Sequence, residues 1–333
     1  MKGSTIMKKT VFRTLALTLA LLLLIPFSLL SCSKADQEVE IKVYALNGTT
    51  ALGMAQMISN AKNDTDDMNY NIELYPSADI ITSTIISGEC AIAALPTNFA
   101  AKLYKKSEGK VQLLALNTLG VLYILDTTGA VKSLGDLQGK TVYLPGGGSN
   151  PEYITAALIK GAGITDVTLD TTSYTSPDAL QAAIVAGKAE IAVLPEPKVS
   201  VVTSSADGVS IAIDLTAEWE KLYGKNTLIQ GCLVVNTAFA QEHPNEIKKF
   251  LEDYAASVSF VSEGSDDAIN MIVDAGILPK AGIAKKALPK CNICCITGEQ
   301  MKDSISVFYE KLYATDPSSI AALPDDGFYY NAK

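Results

Sequence analysis

A twelve-residue unit occurs twice in this 333-residue chain and limits its folds more than any other feature. Ile85-Ile86-Ser87-Gly88-Glu89-Cys90-Ala91-Ile92-Ala93-Ala94-Leu95-Pro96 aligns without a gap on Ile184-Val185-Ala186-Gly187-Lys188-Ala189-Glu190-Ile191-Ala192-Val193-Leu194-Pro195. The copies lie 99 residues apart and half their positions are identical. Each reads as a helix end, a glycine suited to a left-handed C-cap, a short buried strand and a proline stop. A unit of this kind at domain-scale separation predicts two lobes of like topology.

The text around the repeat alternates strand-like and helix-like runs. Strands are expected at 40–45, 69–75, 91–95, 111–117 and 121–125, with helices through about Asn60, at 78–87 and after Pro96. From Ser133 the alternation starts again, with strand 140–144, a Gly-rich loop 145–150 and helix 151–159. Asn150 is the expected N-cap of that helix and Pro151 its first residue. Segments 167–170, 177–187, 190–194 and 209–214 continue the pattern, and 228–235 would carry the chain back to the first lobe. Long amphipathic helices are expected at 245–263, 265–275, 282–288 and 299–313. This order predicts an α/β protein of two lobes, each a mostly parallel sheet flanked by helices, with a ligand cleft between them. Lobe one is then discontinuous (39–125 and 228–333), lobe two is 126–227, and a hinge lies near 118–126 and 226–234.

At the N-terminus Lys2, Lys8, Lys9 and Arg13, with no acidic residue among them, precede the apolar run Leu15–Leu30. That is the pattern of a secretory signal. The run is short for a transmembrane helix, Pro26 interrupts it, and no basic stop-transfer cluster follows. Leu29-Leu30-Ser31-Cys32 resembles the bacterial lipobox. The resemblance implies a lipoprotein signal peptide at 1–31, lipidation of Cys32, a tether at 32–38, and anchoring to the outer face of the bacterial membrane. Two acyl chains hold stably where one does not, since each buried CH2 contributes about 0.8 kcal/mol. Loss of the leader's four positive charges takes the net charge from −9 to −13. So acidic a body excludes nucleic acid as a partner. A monomer is expected.

Besides Cys32 the cysteines are Cys90, Cys232, Cys291, Cys294 and Cys295, an odd number with no disulfide-framework spacing. Cys291-Asn292-Ile293-Cys294-Cys295 has two readings, thiols gathered on a metal or thiols filling small apolar spaces. No second cysteine pair or histidine stands near it to complete a tetrahedral set, so no metal site is assigned. His243 is the only histidine, which argues against His-based triads and metal sites. Gly146-Gly147-Gly148-Ser149-Asn150-Pro151 places proline where a dinucleotide fingerprint needs its third glycine. Gly135–Thr141 is one residue short of a P-loop, and its Lys140 opens a strand. No cofactor is expected.

Candidate binding residues lie in the loops after the strands, where open α/β sheets take their ligands and helix N-termini offer free N–H groups. In the first lobe these are Asn47, Gly48, Thr49 and Thr50, then Pro96, Thr97 and Asn98. In the second they are Gly146, Gly147, Gly148, Ser149, Asn150, Glu152 and Tyr153, with Glu196 in Pro195-Glu196-Pro197. Glu152 and Glu196 have two readings, complements of a helix dipole or acceptors for a ligand N–H. Of the aromatics Tyr44, Tyr75, Phe99, Tyr153, Tyr174 and Trp219, one or two are expected in the cleft.

The lipobox, Ser133-Leu134-Gly135-Asp136-Leu137-Gln138-Gly139-Lys140-Thr141-Val142 and the two Gly-x-x-x-Ile-Ala-x-Leu-Pro units together resemble ABC-importer solute-binding lipoproteins of the type II periplasmic-binding-protein fold. Within that fold the chain looks like the nitrate/sulfonate/thiamine-pyrimidine branch, over essentially its whole mature length. The resemblance implies lobes that close on a small-molecule solute, and partners in an ABC permease and a cytoplasmic ATPase subunit. It implies no catalysis. The binding loops carry no Lys or Arg, unlike a site built for nitrate or phosphate, so the expected solute is an uncharged or singly anionic organic molecule. Two alternatives stand beside this reading. One is an enzyme like thiamine-pyrimidine synthase, which uses iron, a cysteine-rich segment and a histidine; the other is a ligand-sensing receptor subunit.

Overall fold

The computed structural model describes residues 39–331; the signal peptide, Cys32 and the tether fall outside the described residues. Eleven strands are present there: β1 (Ile41–Leu46), β2 (Tyr70–Tyr75), β3 (Ile92–Pro96), β4 (Val111–Thr118), β5 (Leu122–Asp126), β6 (Lys140–Tyr143), β7 (Val167–Asp170), β8 (Ile191–Pro195), β9 (Ser210–Asp214), β10 (Gly231–Asn236) and β11 (Ile293–Ile296). They form two sheets, ordered β11-β4-β10-β3-β1-β2 and β7-β6-β8-β5-β9. The helices are α1 (Thr49–Leu52), α2 (Ala55–Lys62), α3 (Ala78–Ser87), α4 (Thr97–Ser107), α5 (Asn150–Gly161), α6 (Pro177–Val185), α7 (Lys198–Ser205), α8 (Leu215–Tyr223), α9 (Thr237–Glu242), α10 (Pro244–Ser262), α11 (Asp266–Asp274), α12 (Ala281–Ala287) and α13 (Gly298–Thr315). Two sheets flanked by helices is the α/β arrangement that the repeat predicts.

The two copies of the repeat occupy equivalent places. β3 lies between β1, to which it is parallel, and β10, to which it is antiparallel. β8 lies between parallel β6 and antiparallel β5 in the same way. Gly231 stands opposite Pro96 in the first sheet, and Leu122 opposite Pro195 in the second. Each unit is preceded by a helix, and the intervening Gly88 and Gly187 have φ of 82° and 69°, values that favour glycine.

The sheets refine one expectation and correct another. Four of six strands in the first sheet and four of five in the second run the same way, and the strand that arrives in each from the other lobe, β10 or β5, enters antiparallel at an interior position. β5 also pairs wholly within the second sheet, so the lobe boundary expected at 125/126 moves back to the crossover at Leu119–Val121. A third difference is β11. The cysteine-rich segment is an edge strand on β4, and successive residues on a strand face opposite ways. Cys294 packs against one hydrophobic cluster and Cys295 against the other, while Cys291 is fully buried and donates to Ala287 O at 3.2 Å. Cys291 and Cys295 thus belong to one apolar cluster and Cys294 to the other, so the three thiols do not converge on a common point.

One face of the first sheet packs against α2, α10, α11 and α12 around Met54, Phe250 and Tyr254. The cluster on its other face runs on into the second lobe through Phe308, Trp219 and Tyr153. The last helix makes that junction: Phe308 on α13 meets Trp219 on α8 with ring centroids 5.5 Å apart. Lys160 on α5 donates to Ala314 O at 2.8 Å. Although α13 follows first-lobe elements in sequence, its side chains join both lobes.

Candidate functional site

The carboxyl ends of β1, β3 and β8 and the N-termini of α4, α5 and α6 converge on a cavity of about 290 Å³ between the two sheets. Leu46, Asn47, Thr49, Thr50, Pro96, Asn98, Phe99, Thr118 and Gln230 line it from the first lobe, and Ser149, Asn150, Pro151, Pro177 and Pro195 from the second, with Val121 at the crossover. Its size is near the lower end of small-molecule sites. No lining residue is charged.

Local chemistry fixes each loop. Gly48, with φ 119°, lets the chain turn out of β1 into α1, and Thr50 Oγ1 returns a bond to Leu46 O at 3.0 Å. β3 ends at Pro96, the cap residue of α4, so Thr97 begins the helix. Thr97 is fully buried; its hydroxyl donates to Ile229 O at 2.8 Å and its carbonyl accepts from Tyr309 Oη at 2.8 Å. In the second lobe Ser149, not Asn150, is the cap residue of α5. Asn150 is turned across the lobe boundary instead, its Nδ2 donating to Thr97 Oγ1 at 3.1 Å and to Gln230 O at 3.2 Å. Asn98 Nδ2 makes the reciprocal crossing to Gly148 O at 3.4 Å.

Of the residues chosen from sequence, Asn47, Thr49, Thr50, Pro96, Asn98, Ser149 and Asn150 are brought together on this cavity. Gly48, Thr97, Gly146, Gly147, Gly148, Glu152, Tyr153 and Glu196 are not among its lining residues. Glu152 accepts from Gly148 N at 2.6 Å and so stabilises its own loop. Tyr153 is buried beneath Lys102, whose ammonium lies 5.6 Å from the ring centroid. Glu196 has a fully buried side chain that accepts from Ser200 N (3.0 Å), Ser200 Oγ (2.9 Å) and Lys290 Nζ (2.9 Å). The first of its two sequence readings holds, since Ser200 N–H belongs to the first turn of α7, and the carboxylate adds an ion pair with Lys290 that joins the lobes. Phe99 is the one aromatic of those considered that reaches the cavity.

Sequence reasoning missed Thr118, Val121, Pro177 and Gln230. Thr118 ends a buried strand, and Val121 and Gln230 lie in the two crossovers, where nothing in the local text separates a lining residue from a connecting one. Gln230 Oε1 accepts from Val121 N at 2.6 Å, tying one crossover to the other. The cysteine-rich segment and His243 do not line the cavity either; the imidazole of His243 packs on Phe239, ring centroids 4.6 Å apart.

Two sheets of matching strand order that exchange a central strand, with a cavity at their facing carboxyl ends, define the fold class of two-lobed periplasmic binding proteins. Solved structures of that class superpose over most of the chain. An ABC transporter protein from Parabacteroides distasonis matches with a TM-score of 0.74 and 23% identity, covering 88% of this chain and 99% of its own. The periplasmic aliphatic sulphonate-binding protein of Escherichia coli matches with a TM-score of 0.68 and 12% identity, covering 88% and 92%. The ligand-binding component of an ABC-type import system from Staphylococcus aureus, solved with zinc bound, gives 0.68 and 13%, covering 87% and 96%. Residues 110–268 match the family described as NMT1/THI5 like. The family description and the sulphonate-binding neighbour agree with the branch that the sequence resembles. No curated protein matches the sequence.

Proposed function

We propose that the protein is the lipid-anchored, extracytoplasmic solute-binding component of an ABC importer. It captures a small uncharged or singly anionic organic solute between its lobes and presents it to a permease driven by a cytoplasmic ATPase. The observation that carries this reading is the uncharged cavity formed jointly by loops of both lobes. A solute held there touches both lobes, the condition for ligand to favour closure. Bending would occur at the crossovers near 118–126 and 226–234, and Cys32 would carry the anchor. The structural neighbours support the solute-binding role, since one is the ligand-binding component of an ABC-type import system and another a periplasmic sulphonate-binding protein.

The test is thermal unfolding of the full-length chain in detergent, stripped of carried-over solute by unfolding and refolding. The panel holds thiamine and its pyrimidine, riboflavin, alkyl and aryl sulfonates, nitrate, aromatic carboxylates and amino acids. A ligand at a hundred times its Kd adds about 2.7 kcal/mol, which moves the midpoint by roughly 4 °C in a chain of about 300 residues. A shift confined to one chemical class is expected. A flat response across the panel, with no class moving the midpoint, would refute the reading.

A further inference from the structure

Two clusters of contacts away from the cavity join the lobes, and each is fastened to one of the two crossovers. The first surrounds Lys290, whose Nζ donates to Glu196 Oε1 at 2.9 Å and to Ser200 Oγ at 3.0 Å. The first crossover holds both sides of this pair. Glu196 N donates to Val121 O at 2.9 Å. Two residues after Lys290, Asn292 O accepts from Leu119 N at 3.0 Å and Asn292 Nδ2 donates to Gly120 O at 2.6 Å. The second cluster is the seat of α13 on the second lobe. Trp219 is fully buried, its ring centroid 5.5 Å from that of Phe308, and its Nε1 donates to Thr227 Oγ1 at the second crossover at 3.1 Å. One turn further along α13, the Lys311 ammonium lies 5.3 Å from the Tyr223 ring centroid. Tyr309 ties the same helix to the first lobe through Thr97 O at 2.8 Å. Cys291, beside Lys290, belongs to the apolar cluster on one face of the first sheet, and Phe308 to the cluster on the other. The two joints thus flank that sheet.

We infer that segment 290–315 is part of the hinge: the two joints are fixed pivots, and the lobes turn about the line through them. A rotation about that line leaves both joints at their present lengths. Any other rotation, or a sliding of one lobe over the other, pulls at least one joint apart. Parting the first strips a fully buried carboxylate of its cation, and parting the second wets the Trp219 indole, so both motions are opposed. The crossing from Asn98 to Gly148, a long bond at 3.4 Å, is the contact that yields instead. The chain therefore hinges at its two crossovers with a side-chain brace at each, rather than on the crossovers alone. This inference rests on the solute-binding reading for the motion and supplies its axis.

Distances between spin labels, measured by pulsed electron paramagnetic resonance, test it. The labels are carried on a ketone-bearing residue, so that native thiols stay untouched, in the full-length chain in detergent, stripped of carried-over solute. Three pairs of exposed positions are compared: Thr203 with Pro289 at the first joint, Leu222 with Ala314 at the second, and Lys106 with Lys188 away from both. Each joint pair is expected to give one sharp distance, and the remote pair a distribution at least about twice as broad. Lys290→Met is expected to broaden the first pair towards the width of the remote pair and to leave the second sharp. Lys290→Gln is carried in parallel in case methionine disturbs folding, with circular dichroism to check every sample. A joint pair as broad as the remote pair places the axis elsewhere and overturns the inference. A first pair that stays sharp in both variants overturns the assignment of that pivot to Lys290. Three equally sharp pairs mean that the lobes do not turn, which overturns the inference as well; a response in the unfolding panel then keeps the solute-binding reading, and a flat one ends both.

Discussion

Removing the Lys290 ammonium tests how far the two lobes depend on one buried charge. Lys290 precedes β11, and its Nζ reaches Glu196 Oε1 at 2.9 Å, Ser200 Oγ at 3.0 Å and Lys286 O at 2.8 Å. The Glu196 side chain is 0% exposed and that of Lys290 is 34% exposed. In Lys290→Met the carboxylate keeps two hydrogen bonds from Ser200 but loses its one ion-pair partner among the described residues. Breaking a fully buried pair from one side costs about 3–5 kcal/mol. Partial exposure of the ammonium lowers that, so about 2–3 kcal/mol is expected. For a chain of about 300 residues that is a fall of roughly 3–5 °C in Tm. Urea unfolding gives the stability, and Lys290→Met/Glu196→Gln completes a cycle in which most of the loss returns, since the neutral amide no longer needs a counter-ion. A single variant within about 0.5 kcal/mol of wild type would refute the reasoning and leave the contact as a solvated surface pair. A double variant no better than the single one would refute the attribution to charge.

Three further outcomes follow from local chemistry. Asp170 accepts from Ser173 Oγ (2.6 Å) and from the backbone N–H groups of Ser173 and Thr172 (both 2.9 Å), bonds that hold its pKa down to about 2. The folded value lies below the unfolded one, so the contribution to stability is complete above about pH 4 and is lost as pH falls towards 2. Ser173→Ala should make urea midpoints fall less steeply between pH 5 and pH 2, and an unchanged slope would count against the assignment. Burial pushes the thiols of Cys90 and Cys294 up to about 12 and that of Cys295 up to about 11, so iodoacetamide at pH 8 should label them far more slowly in native than in unfolded protein. Gly53→Ala would place a Cβ 2.5 Å from Tyr254 Oη and 2.8 Å from Val258 Cγ2, an overpacking that should cost about 1–3 kcal/mol in urea unfolding.

The repeat made the fold readable because its signals are local: a glycine cap, a run of buried residues and a proline stop mark the same strand twice. Sheet membership was not readable in that way. The text at Leu122–Asp126 says strand, but only the partners Ile191–Pro195 and Ser210–Asp214 say which sheet. β11 was hidden because Ile293–Ile296 is four residues long and reads first as cysteines. The loops after β1 and β3 and the start of α5 were legible as cavity lining, since helix N-termini at strand ends recur in both lobes. At Glu196 the helix-terminus contact was legible and the ion pair was not: its partner Lys290 is 94 residues away, and no local pattern announces such a pair. Asn150 was read as a cap because asparagine favours that position, yet bonds to Thr97 and Gln230 across the lobes outweigh a bond worth about 1 kcal/mol.

Those crossings also bear on how closure would be controlled. The Asn98–Gly148 bond is long at 3.4 Å and adds little to holding the lobes together. Against it stand the buried, unpaired oxygens of Asn98 and Asn150, each costing about 1–3 kcal/mol. On the proposed reading, a solute in the cavity touches both lobes, so its affinity differs between open and closed forms, which is what a population shift requires. Small-angle scattering of the full-length chain in contrast-matched detergent should therefore show contraction with any solute that raises the unfolding midpoint. No contraction with such a solute would refute closure about the two crossovers.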